Sequence, residues 1–134
     1  MGIVTCRRER AGGALPRQAQ NARQKIEVRR GEIYWCRLDP VEGSEMGKTR
    51  PCVVVSLDSL NPILPTVVIC PLTSRLRPHW RTRLQVCSAG QAADVCADQI
   101  RVVSKSRLAG RIGRLSQDDT RALHELLTEM YGAR

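Results

Sequence analysis

An Arg-Pro pair runs straight into a β-branched stretch, Arg50-Pro51-Cys52-Val53-Val54-Val55, and no other feature constrains the fold of this chain as much. A short apolar run without alternation reads as a strand buried on both faces. Pro51 has no N–H to give a ladder, which suits the first residue of a strand. The preceding residues, Gly43-Ser44-Glu45-Met46-Gly47-Lys48-Thr49, are small and polar with two glycines, and they read as a mobile loop. A guanidinium is therefore held at the rim of a rigid sheet, beneath a loop that can open and close. A lone arginine in that place ordinarily pairs with a nearby carboxylate. A second buried run, Val67 to Leu72, ends in Thr73-Ser74-Arg75. If the two strands are neighbours, Thr73 at the end of one faces Arg50 at the start of the other.

The core must be built almost without aromatic residues. Trp35, Trp80, Tyr34 and Tyr131 are the only ones, and there is no Phe. Val, Leu, Ile and Cys remain, which suits a small sheet-rich fold. At 134 residues the chain makes one domain with a real core. No apolar run reaches membrane-spanning length. Of the formal charge of +9, residues 1–30 supply six, with eight Lys or Arg against two acids, and the rest of the chain supplies three. The folded part is thus mildly basic, and binding to a polyanion depends on where its arginines lie. Residues 1–28 lack apolar periodicity and are expected to be a disordered basic arm, with a folded domain over 29–134. The six cysteines show no C-x-x-C spacing, and Cys36, Cys52, Cys70 and Cys96 fall in strand-like runs, where a thiol acts as a small hydrophobe. With no signal peptide, the expectation is a reduced, cytoplasmic protein.

Strands are expected over 31–38, 50–57, 66–72 and 82–86. A fifth should run over 92–103 with a kink near Ala97-Asp98-Gln99, followed by a helical turn at 104–108 and a brief strand over 110–115. Residues 73–81 form a long basic loop. Ser116 reads as an N-cap with Asp118 and Asp119 in the first turn. Ala122, Leu123, Leu126, Leu127 and Met130 then make one apolar stripe at helical spacing. Strands followed by one helix argue for a small, strongly bent antiparallel sheet or open barrel.

Neither histidine stands near a nucleophile motif. His124 reads as a flanking surface residue, and His79 lies in the basic loop. The acids form no D-x-D or H-E-x-x-H cluster, and no cofactor motif is present. Intramolecular RNA cleavage needs neither metal nor a histidine pair, because the substrate's own 2′-hydroxyl sits beside its phosphorus. An arginine fork can grip two phosphate oxygens as charge develops, and a threonine hydroxyl can add a further hydrogen bond.

The runs Arg30-Gly31-Glu32-Ile33-Tyr34-Trp35, Leu38-Asp39-Pro40 and Gly43 through Val55 closely resemble the MazF/PemK family of toxin endoribonucleases. The resemblance continues through Pro65 to Ile69, Pro71 to Ser74, Asp98 to Arg101 and Lys105 to Leu108. It implies a mainly β, SH3-like small barrel with a C-terminal helix, working as a homodimer. Such proteins belong to type II toxin–antitoxin systems. They cut single-stranded RNA, including mRNA, leaving a 2′,3′-cyclic phosphate, and so inhibit translation. A cognate antitoxin blocks the RNA groove.

By the same resemblance, Arg50 and Thr73 are the catalytic pair. The 43–49 loop, with Glu45, Lys48 and Thr49, covers the RNA. Ser74, Arg75 and Arg77 form the groove edge, and Gln99 stands in the family's acid-Gln-Ile-Arg motif. Arg101 is either an RNA contact or a structural partner within the sheet. Trp80 is either a base-stacking surface or a cap on the core. Two other readings compete: a CcdB-like toxin that binds a topoisomerase without cutting RNA, and a non-catalytic nucleic-acid-binding barrel led by the basic arm.

Overall fold

The computed structural model describes residues 27–133. Seven strands and one helix follow one another: β1 (Glu32–Arg37), β2 (Thr49–Val54), β3 (Thr66–Thr73), β4 (Arg83–Ser88), β5 (Gln91–Cys96), β6 (Arg101–Ser104), β7 (Leu108–Arg114) and α1 (Gln117–Tyr131). The strands pair antiparallel in the order β4-β5-β3-β2-β1-β7, and β6 pairs with β3. The result is an antiparallel half-barrel closed on one side by the C-terminal helix, as the sequence pattern predicts. Among the described residues no helix is long and apolar enough to cross a membrane.

The two central strands, β2 and β3, have cores on both faces. Cys52, Val54, Val67 and Ile69 join Tyr34, Cys36 and Leu38 in the barrel interior. Val53, Cys70 and Leu72 face the other way, onto Leu123 of α1 and Val86 and Val95 of the β4–β5 hairpin. That double burial explains why these runs read as continuous rather than alternating. Val28 is buried in the first core, one residue ahead of the expected domain start. Residues 1–26 of the expected basic arm lie outside the described residues.

β2 ends at Val54, earlier than expected, because the polar groups beyond it have other partners. The Ser56 hydroxyl donates to Asn61 Oδ1 at 2.6 Å and accepts the Val68 N–H at 3.1 Å. The expected fifth strand is two strands. β3 needs partners along its whole length: β5 covers its end at Leu72 and Thr73, and β6 covers Thr66 to Ile69. A 3-10 turn at Ala97–Gln99 carries the chain between them. β4 and β5 meet in a tight hairpin whose central residues, Ala89 and Gly90, have φ of 50° and 76°, the left-handed pair of a type I′ turn. The Ser116 hydroxyl caps α1 by accepting the Asp119 N–H at 3.1 Å.

Cys36, Cys52, Cys70 and Cys96 are buried free thiols. Burial pushes Cys70 up to about 12 and Cys96 up to about 11, so both act as the small hydrophobes expected of them.

Candidate nucleic-acid groove and its arginine–threonine pair

β2 and β3 are paired with Cys52 opposite Pro71 and Val53 opposite Cys70. Continuing that register by two residues sets Arg50 across from Thr73, where the ladder has ended. Because side chains alternate with period two, both project to the same side. They line one groove of about 530 Å³ together with Lys48, Thr49 and Ser74. The pair anticipated from two separate strand ends is thus brought together at a single opening.

Arg50 is half-buried, and its Nε–H donates to the Gly47 carbonyl at 3.0 Å. The loop therefore orients the guanidinium and leaves its two terminal amino groups for another ligand. Lys48 holds the loop's exit in place: its φ is +65°, and its carbonyl accepts the Leu38 N–H at 2.8 Å. The Thr73 hydroxyl accepts the Arg75 N–H at 3.2 Å. Its own proton remains available to donate.

The other expected contacts are distributed differently. Glu45 folds back within the loop, accepting the Glu42 N–H at 2.9 Å. Gln99 accepts the Met46 N–H at 3.2 Å and so tethers the loop. Arg101 donates to the Leu38 carbonyl at 3.1 Å, a structural contact to backbone. Arg75 and Arg77 lie on the exposed loop beyond Thr73 and do not line the groove. Trp80 is 50% exposed, which removes the core-cap reading. His124 is not a free surface group, because its Nδ1 accepts a hydrogen bond from Arg30 Nη2 at 2.6 Å.

A family model described as "PemK-like, MazF-like toxin of type II toxin-antitoxin system" matches residues 29–131. The chain belongs to this family. MazF from Deinococcus radiodurans has a similar structure with a TM-score of 0.70, at 25% identity over 79% of this chain and 97% of that one. The Mycobacterium tuberculosis toxin MazF-mt6 gives 0.64 at 23% identity, over 77% and 98% of the two chains. An endoribonuclease in complex with its cognate antitoxin, from a mycobacterial species, gives 0.67 at 22% identity, over 80% and 97%.

In this PemK/MazF-type chain the groove has a floor and a far wall that the sequence reading missed. Trp35 stands opposite Pro51 in the β1–β2 ladder and is 39% exposed; with Ile112 it lines the floor. Ser88, Ala89 and Gln91, at the tip of the β4–β5 hairpin, supply the wall. Asp94 was also missed. It is buried opposite Thr73 in the β3–β5 ladder, and its Oδ2 accepts the Arg77 N–H at 2.7 Å. No spacing in the sequence links these residues to Arg50. The strand order does.

Proposed function

We propose that the chain is a cytoplasmic, metal-independent endoribonuclease toxin that cuts single-stranded RNA at the groove between Arg50 and Thr73. The facing of these two residues across one opening carries the reading, and membership of a toxin family whose members are generally endoribonucleases supports it. The substrate's 2′-oxygen loses its proton and bonds to phosphorus. The bond to the 5′-oxygen breaks, and that oxygen leaves as a hydroxyl after taking up a proton. The products are a 2′,3′-cyclic phosphate and a 5′-hydroxyl end. Arg50 grips the non-bridging oxygens as negative charge builds there, and Thr73 donates a further hydrogen bond. Lys48, Thr49 and Ser74 hold the strand at the rim. Arg75 and Arg77 attract its flanking phosphates, and Glu45 and Gln99 shape and tether the loop above it.

A homodimer is the working form, and a cognate antitoxin occupies the groove when the toxin is silent; that the similar mycobacterial endoribonuclease forms a complex with its cognate antitoxin supports such a partner. The folded domain carries the activity, so removing residues 1–26 leaves it in place. Primer extension on a long RNA incubated with purified protein in EDTA tests the proposal. Defined cuts that vanish in Arg50→Ala are expected. Intact RNA, or undiminished cutting by that variant, rejects it.

A further inference from the structure

Beyond the groove, the loop after β3 carries a large aromatic side chain that neither core claims. Trp80 is half exposed, yet its ring is not loose. The Arg83 guanidinium carbon lies 4.7 Å from the ring centre and that of Arg77 lies 5.7 Å away, both within cation–π range. Arg83 is itself fixed. Its Nη1 donates to the Arg75 carbonyl at 3.3 Å and lies 3.7 Å from Asp94 Oδ2, and its side chain is only 13% exposed. The Asp94 carboxylate, 3% exposed, also receives the Arg77 N–H. Since Asp94 sits opposite Thr73, one buried carboxylate ties the support of Trp80 to the strand end that bears Thr73.

We propose that Trp80 is a stacking platform for an unpaired RNA base lying outside the Arg50–Thr73 groove, on the same strand that the groove holds. The inference rests on the endoribonuclease reading and extends it to a second contact. Every base has a π face, so an exposed indole captures one without regard to sequence. Arg75, Arg77, Arg81 and Arg83 crowd this loop, against Asp94 and the Glu129 carboxylate that meets Arg81 at 3.4 Å. That surplus suits the phosphates on either side of a stacked base. A ring already held by two guanidinium groups loses little freedom when a base settles on it, which favours binding.

The test uses the full chain and random-sequence 2′-O-methyl oligoribonucleotides, which lack the attacking hydroxyl and cannot be cut. One length fills the groove only, and the other runs past the loop. Trp80→Ala should weaken binding of the long pool about tenfold and leave the short pool unchanged. Trp80→Phe should restore most of the loss, and Trp80→Leu, which keeps apolar bulk over Arg83 without a π face, should not. Equal losses on both lengths, no loss on the long pool, or a wild type that binds long and short pools alike overturns the proposal. Cleavage of unmodified RNA by the wild type is scored separately. Trp80-dependent binding without cutting would sink the nuclease reading alone.

Discussion

Arg50 donates its Nε–H to the Gly47 carbonyl at 3.0 Å, so the loop over the groove also aims the guanidinium beneath it. Gly47 sits close against the side chains of the 39–41 segment. A Cβ there would crowd the Asp39 carboxylate, which can swing aside, and come within 2.8 Å of Val41 Cγ2, which packs against the core. Gly47→Ala should therefore press the loop away from Val41 and move the carbonyl that holds Arg50. The expected result is a drop in kcat/KM of about ten- to a hundredfold, from misplacement alone, with the thermal melting curve little changed. A variant that cuts at the wild-type rate would show that the loop does not aim Arg50.

With Nε committed to the loop, the grip on phosphate falls to the two terminal amino groups of Arg50. Lysine keeps the charge but has neither the fork nor the Nε–H. Arg50→Lys should therefore lose on the order of a hundredfold in single-turnover cleavage, the scale of a lost charge-stabilising donor, and Arg50→Ala should lose more.

Thr73 gives a smaller, hydroxyl-specific signature. Thr73→Ala should slow cutting about tenfold, the lower end for a hydrogen bond to a charged group, while Thr73→Ser stays close to wild type. Serine and alanine variants that are equally slow would assign the loss to packing of the threonine methyl instead.

The legible parts of this molecule are those where burial and chemistry share one short stretch. Val53, Val54 and Cys70 lie between two cores, so their strands show as unbroken apolar runs, and Arg50 and Thr73 stand out at the ends of those runs. Trp35 gave no such signal. Its strand looks ordinary, and it reaches the groove only because β1 pairs with β2. Gln91 and Ser88 enter through a hairpin whose Ser-Ala-Gly-Gln turn lacks the Asn-Gly or Asp-Gly signature of a type I′ turn. Asp94 read as one polar residue in a strand, because the groups it anchors, the Arg77 amide and the Arg83 guanidinium, come from a loop with no period of its own. The single fifth strand became two because β3 is longer than any one partner can cover, a fact of topology rather than composition.

Asp94 should matter for stability as well as for placing Trp80. Removing it leaves a nearly buried guanidinium without a carboxylate and the Arg77 N–H without its acceptor. Asp94→Ala should cost about 3 kcal/mol in urea unfolding, as for one partner lost from a buried pair. Asp94→Asn keeps an oxygen for the Arg77 N–H and loses only the charge, so it should fall between the two. If alanine and wild type unfold at the same urea concentration, Asp94 is not the anchor of this loop.

His124 gives the chain an acid-sensitive contact. Its Nδ1 accepts from Arg30 Nη2 at 2.6 Å, which requires a neutral ring, and the Arg30 backbone N–H is held by Asp58 at 2.7 Å. Burial, with the Arg30 charge adding to it, lowers the imidazole below its usual 6.5. In the window between the folded and unfolded values the unfolded chain binds more protons. The contribution to stability is therefore complete above about pH 6.5 and is lost as the pH falls through the lowered value. Melting temperatures measured between about pH 7.5 and pH 5.5 should fall more steeply for the wild type than for His124→Gln, whose amide can still accept from Arg30 but does not titrate. Parallel curves would mean that protonation of Nδ1 does not break the contact with Arg30.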